Sequence, residues 1–250
     1  MNKTIHPRRS LTFTSALLGC LCLAMGSMAV ASENPNAADP TVKSAPKDES
    51  DTWYVTTRVA TEFGTISTHY WSKGPKLRVQ TILAGHPVTT IVSGDTYFVY
   101  DAILGRGVAI KRSPTAIAED RGRGRPFGRE LDDLLGAGGE KVQDTAEASE
   151  ANSYEIYQLT NDNGRRRIMM TASLPPLPMR VETFVRSSGK KAVLEYSGWQ
   201  RALDIEDAFF APSSNVDLEL VPYEDYIRRI GNEPVGPAPV YYRDLLHGNR

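Results

Sequence analysis

The chain has 250 residues, of which 40% are hydrophobic and 24% charged, and its formal net charge is -1. That length is enough to enclose a substantial core, and the near balance of charge gives no general attraction to nucleic acid. Two cysteines in the whole chain leave no disulfide framework to build on.

Lys3, Arg8 and Arg9 precede the apolar stretch LTFTSALLGCLCLAMGSMAVA, which ends in Ala29-Val30-Ala31. A basic start, a short apolar segment and a small-x-small ending predict a secretory signal peptide over residues 1–31 and a periplasmic destination. Cys20 and Cys22 both fall inside it, so cleavage leaves a chain without thiols, and redox and zinc-ribbon functions are excluded. Leu17-Leu18-Gly19-Cys20 resembles a bacterial lipobox, and the alternative is a chain lipid-anchored through Cys20. Loss of residues 1–31 removes three basic residues and no acidic one, moving the net charge from -1 to -4.

Residues 32–52 carry Pro, Asn, Asp, Lys and Ser with almost no large apolar side chain, which predicts a disordered leader. The folded domain is expected over residues 53–231. From Trp53 the period is two: Trp53, Val55, Thr57 and Val59 alternate with Tyr54, Thr56, Arg58 and Ala60. A second run sets Ile66, Thr68 and Tyr70 against Ser67, His69 and Trp71. Further strands are predicted near 76–84, 87–93, 95–101 and 106–111, with short Gly- or Pro-containing connections, so neighbours should pair antiparallel as a meander.

Ser113-Pro114 predicts an N-cap and the first residue of a short helix, TAIAED. RGRGRPFG reads as a loop. Phe127, Leu131, Leu134 and Leu135 follow at i, i+4, i+7 and i+8, which predicts an amphipathic helix stopped by Gly136. Strands resume in YEIYQLT and RRRIMMTA around Asn163-Gly164, a strong hairpin signal. MRVETFVR and KAVLEYSGW add two more, DIEDAFFAP and VDLELVP close the domain, and PYEDYIRRI predicts a last helix. Residues 232–250 read as a Pro-rich C-terminal tail, flexible in the simplest reading and otherwise docked on the domain or on a partner.

Little in this pattern suggests catalysis, and the chain is expected not to be an enzyme. His69, His86 and His247 lie in a strand, a turn and the tail without ligand spacing, so no metal and no cofactor are expected. Ser93-Gly94-Asp95 reads as a hairpin turn. Asp132 and Asp133 read as the solvated face of a helix and Asp204 as a cap, with Glu206 and Asp207 beside it. Arg121, Arg123, Arg125 and Arg129, spaced by glycine, suit anionic headgroups or an acidic partner in an exported chain. In excess is apolar material on both faces of the strands: Phe98 and Tyr100 oppose Tyr97 and Val99, and Ile168 and Met170 oppose Met169. Each face therefore needs a cover, either a closed core or an apolar ligand.

The order of these elements resembles the LolA/LolB-type lipoprotein-carrier superfamily, which also includes RseB-like proteins. The resemblance is carried by Ser93 to Asp101 (SGDTYFVYD), by Leu177 to Glu182 (LPMRVE) and by Phe210 to Pro212 (FAP). It implies a mainly β (α+β) fold, a curved antiparallel sheet forming an incomplete β-barrel with a few short covering helices. It also implies an apolar cavity holding lipid acyl chains or a lipoprotein, with an envelope membrane protein as the partner of an alternative regulatory role. Leu77, Val79, Ile91, Phe98, Tyr100, Leu131, Leu134, Ile168 and Met170 are the expected lining. Lys73, Arg78, Arg121, Arg123 and Arg125 are the expected headgroup or partner contacts. Lys73-Gly74-Pro75 stands where carriers have a Lys-Arg-Pro latch, so the latch arginine is missing.

Overall fold

The computed structural model describes residues 52–61, 64–83, 85–120, 130–142, 154–173, 175–238 and 240–248. The signal peptide, all but Thr52 of the leader, and the Arg-Gly loop lie outside the described residues. Twelve strands form one open sheet: β1 (Thr52–Thr61), β2 (Gly64–Lys73), β3 (Lys76–Leu83), β4 (His86–Ser93), β5 (Thr96–Asp101), β6 (Arg106–Lys111), β7 (Glu140–Val142), β8 (Tyr154–Asn161), β9 (Gly164–Thr171), β10 (Pro178–Val185), β11 (Lys190–Arg201) and β12 (Asp217–Val221). Their order is β12-β6-β5-β4-β3-β2-β1-β11-β10-β9-β8-β7, so β12 and β7 are edges and the barrel is incomplete. Among the described residues there are also four short helices, α1 (Pro114–Asp120), α2 (Glu130–Gly136), α3 (Tyr223–Arg229) and α4 (Arg243–His247).

The predicted meander runs from β1 to β6. After it the chain passes through α1 and α2 to the far edge, returns strand by strand from β7 to β11, and meets its own beginning where β11 pairs with β1. The first strand is therefore central. Tight turns set these registers. At Asn163-Gly164 the Asn161 side chain accepts hydrogen bonds from the Asn163 and Gly164 amides. Gly164 has φ +149°, and a Cβ there would lie 1.9 Å from the Phe184 carbonyl oxygen; only glycine fits.

The sheet is antiparallel as expected except at one edge, where the closing strand β12 runs parallel to β6. The chain leaves β11 at mid-sheet, a 3-10 turn at Asp207–Phe210 lies on β3 and β4, and only then is the β6 edge reached; a connection that long no longer constrains direction. The C-terminal tail is not a loose extension. Val235, Ala238, Val240, Leu245 and Leu246 are buried in the same cluster as the sheet residues Trp53, Tyr97 and Ile110. A Pro-rich composition hides this because the burying residues are few and irregularly spaced.

Strand alternation divides the sheet into two faces. The inner face carries Trp53, Val55, Tyr70, Leu77, Val79, Val92, Tyr97, Val99, Val108, Ile110, Ile168, Val181, Leu194 and Tyr196, and is roofed by Leu134 of α2, Tyr226 of α3 and the C-terminal segment. Leu131 packs against this core, but Leu135 is 43% exposed and falls off the stripe expected of it.

Candidate functional site: the inner face and its roof

The inner face is a wall of aliphatic and aromatic side chains interspersed with the buried hydroxyls of Thr57, Thr68, Ser72, Thr81 and Thr90. Tyrosines of the sheet and the roof add further hydroxyls. Burial raises the pKa of Tyr70, Tyr97 and Tyr226. Tyr196 and Tyr242 are pushed up further, first by burial and then by neighbours, the Glu130 carboxylate for Tyr196 and Tyr70 for Tyr242. All five stay neutral through the physiological range, so the wall carries no phenolate charge.

Two polar devices hold the roof. On one side Tyr196 Oη donates to Glu130 Oε1 at 2.6 Å, tying β11 to the start of α2. Beside it Trp199 stacks on Tyr196 with centroids 5.9 Å apart and meets Trp53 edge-on at 6.0 Å. On the other side Arg112, 5% exposed, binds the C-terminal segment and the sheet together. Its Nε donates to the Leu245 carbonyl at 2.6 Å, its Nη1 to the Gly94 carbonyl at 2.7 Å, and its Nη2 pairs with Asp120 at 2.5 Å. Ser113 next to it donates from Oγ to the His247 carbonyl at 2.7 Å and from its amide to the Leu246 carbonyl at 3.0 Å. The same Oγ accepts the Ala116 amide, the cap expected at that position.

Farther along, Gly236 with φ +88° presses on β6: a Cβ would sit 2.8 Å from Val108 Cγ2. Tyr70 and Tyr242 meet edge to face at 6.2 Å. The roof is thus fastened at its far end by carbonyl contacts to Arg112 and Ser113, at α2 by the Tyr196–Glu130 hydrogen bond, and between these largely by packing against the wall.

The residues expected to line one chamber are placed on both faces. Leu77, Val79, Leu134, Ile168 and Met170 are in the inner cluster with Leu131 against it. Ile91 and Phe98 face each other across β4 and β5 on the opposite side, and Tyr100 shares that side. Ile91 is fully buried there, on a strand that the Asp207–Phe210 turn overlies. Of the expected cationic contacts, the two described ones, Lys73 and Arg78, belong to the outer face too. Lys73 donates to the Ile205 carbonyl at 2.8 Å and pairs with Asp207 at 2.9 Å. Arg78 Nη1 donates to the Phe209 carbonyl at 2.7 Å, and its guanidinium lies 4.5 Å from the Phe209 ring centroid. Lys73 and Arg78 therefore fasten a segment, though not one over the inner face. Arg121, Arg123 and Arg125 lie outside the described residues.

Residues the sequence left unmarked are Arg112, Ser113 in its second role, Trp199 and the apolar positions of the C-terminal segment. The run Val240-Tyr241-Tyr242 before Leu245-Leu246 is the signal that points to them. On the outer face Trp71, Asp204, Ile205, Glu206 and Phe209 line an open hollow of about 460 Å³. Among the described residues no three His, Cys, Asp or Glu side chains gather as a metal site, and no helix is long and apolar enough to cross a membrane.

No family model matches the sequence, and no curated protein matches it. Several solved structures are similar to it. The chain is similar to an uncharacterized conserved protein from Thermus thermophilus, at 10% identity and TM-score 0.44, over 68% of this chain and 91% of that one. It is similar to a chain of the Pseudomonas aeruginosa MucA/MucB complex at 9% identity and TM-score 0.41, covering 70% of this chain and 60% of that one. A domain from Vibrio parahaemolyticus, provisionally described as an outer membrane lipoprotein-sorting protein domain, is similar at 13% identity and TM-score 0.30, over 64% and 88%. Identities and scores this low assign no activity.

Proposed function

We propose that this chain is a non-catalytic binding protein of the bacterial envelope whose inner apolar face receives the acyl chains of a lipid or lipoprotein. The observation that carries this reading is the construction of the interior: a largely apolar wall on an open sheet, roofed by short helices and a C-terminal segment instead of a second sheet. The predicted signal peptide supports the location. Each methylene taken from water into such a face gains about 0.8 kcal/mol, so displacing the apolar residues of the roof by a chain of similar area is close to an exchange. Protein purified from the periplasm of cells expressing the full chain tests this by native mass spectrometry and lipid extraction. Co-purifying lipid is the expected result. Protein that is empty and also fails to bind a fluorescent fatty acid would overturn it.

A second reading is favoured by a specific feature. What occupies the inner face is a peptide, gripped through the backbone carbonyls of Leu245, Leu246 and His247 by Arg112 and Ser113. A face built to hold one peptide suits a segment of an envelope protein, in an interaction or regulatory role. Pull-downs with and without residues 232–250 separate the readings: a partner recovered only when the segment is deleted favours the peptide.

A further inference from the structure

Strand pairing brings five turns to one end of the sheet: those after β1, β3, β5, β8 and β10. The β3–β4 and β5–β6 turns are neighbours there, joined by a hydrogen bond from the Ala102 amide to the Pro87 carbonyl at 2.9 Å. Four large aliphatic side chains among the described residues are more than half exposed, and three of them, Ile82 (65%), Ile103 (66%) and Leu104 (53%), stand on this rim. Scattered single exposures need no explanation, whereas a cluster on protruding turns does.

The backbone of the β5–β6 turn is prepared for an apolar surrounding. The Ile103 and Leu104 amides both donate to Asp101 Oδ1, at 2.8 and 2.9 Å, and the Gly105 amide donates to the Asp101 carbonyl at 3.0 Å. With Ala102 on Pro87, every amide from 102 to 105 is satisfied within the protein. Asp101 itself is buried, and His86 Nδ1 approaches its other oxygen at 2.5 Å. Desolvating such a tip costs little on the donor side, since an unmade amide hydrogen bond is the main penalty of entering lipid.

Two further turns at this end carry cations. Arg106 follows the apolar turn, and Arg165, Arg186, Lys190 and Lys191 stand at the β8–β9 and β10–β11 turns, all exposed. Asp162 and Asp217 are exposed acids at the same end, Asp217 in register with Arg106. This arrangement is the reverse of the net negative charge expected for the exported chain. We propose that the rim docks on the surface of an anionic lipid bilayer, Ile103 and Leu104 entering the interface while the basic turns meet the headgroups. Aliphatic tips plus several cations on the same end of the sheet match what interfacial binding requires. The proposal does not depend on what the inner face carries.

The test is flotation with vesicles of phosphatidylethanolamine and phosphatidylglycerol, against vesicles of phosphatidylcholine alone, using protein purified from cells that express the full chain. The parent protein is expected to float with the anionic vesicles and to be released by high salt. Joint substitution Ile103→Ser and Leu104→Ser lowers binding by about tenfold or more. Lys190→Gln with Lys191→Gln lowers it by a similar factor on anionic vesicles only. An Ile103→Trp variant, at an exposed site that leaves the fold intact, reports entry as a blue shift of the added emission. No flotation of the parent, equal flotation of the serine variant, or an unshifted tryptophan would each overturn the proposal, including the case in which a protein partner takes the same tips.

Discussion

Arg112 shows how one buried charge can organise a chain terminus. Its guanidinium is satisfied by Asp120 and by carbonyls from the β4–β5 turn and from α4. Replacing it with Met keeps the bulk but removes the buried cation paired with Asp120 and the donors to two carbonyl oxygens. Removing one partner of a buried pair costs about 3–5 kcal/mol, and urea denaturation of Arg112→Met is expected to show a loss in that range. Asp207 is a contrasting, exposed case. Hydrogen bonds from Lys76 and Lys73 lower its pKa from 3.8 to about 2. A lowered carboxylate pKa stabilises the folded state above the unfolded value and stops doing so as pH falls through the folded one. The share of the 205–210 fastening that runs through Asp207 should therefore be fully present above about pH 4 and be lost towards pH 2, while the carbonyl contacts of Lys73 and Arg78 persist. NMR titration of the Asp207 carboxyl measures it, and a midpoint near 3.8 contradicts the ion pairs.

At the level of elements, the strands could be read from the period of two, and the Ser113 cap and the Asn163-Gly164 turn from local chemistry. Those signals lie within a few residues of the structure they produce. The C-terminal segment could not be read, because Val235, Ala238 and Val240 have neither a helical nor a strand period and owe their burial to a sheet far away in sequence. The same distance hid the parallel pairing of β12 and the use of Lys73 and Arg78 on the outer face. The apolar excess on both faces did indicate that each face is covered, but not by what: Ile91 lies on a strand crossed by a 3-10 turn and Leu77 under a roof. Deleting residues 232–250 uncovers Tyr97, Val108 and Ile110 while leaving all twelve strands in place. A chain that keeps its far-ultraviolet signature, loses several degrees of Tm and binds a hydrophobic dye is the expected outcome. An unchanged Tm contradicts the packing of the roof.

For the molecule as a whole, the decisive feature is that β1 lies in the middle of the sheet. Val59 pairs with Ile66 on one side and with Leu194 on the other. A chain made or delivered from its N-terminus completes the first six strands while one edge of β1, and the apolar wall beside it, still waits for β11. Contacts of such long sequence separation form slowly because loop closure precedes any gain from pairing. A fragment ending at Lys111 is expected to aggregate during refolding, and the full chain to refold over milliseconds to seconds, as stopped-flow fluorescence of Trp53 and Trp199 can follow. Time is thus built into the topology: during synthesis the partly formed sheet exposes a sticky edge, and the strand that closes it arrives near the end, just before the segment that roofs it.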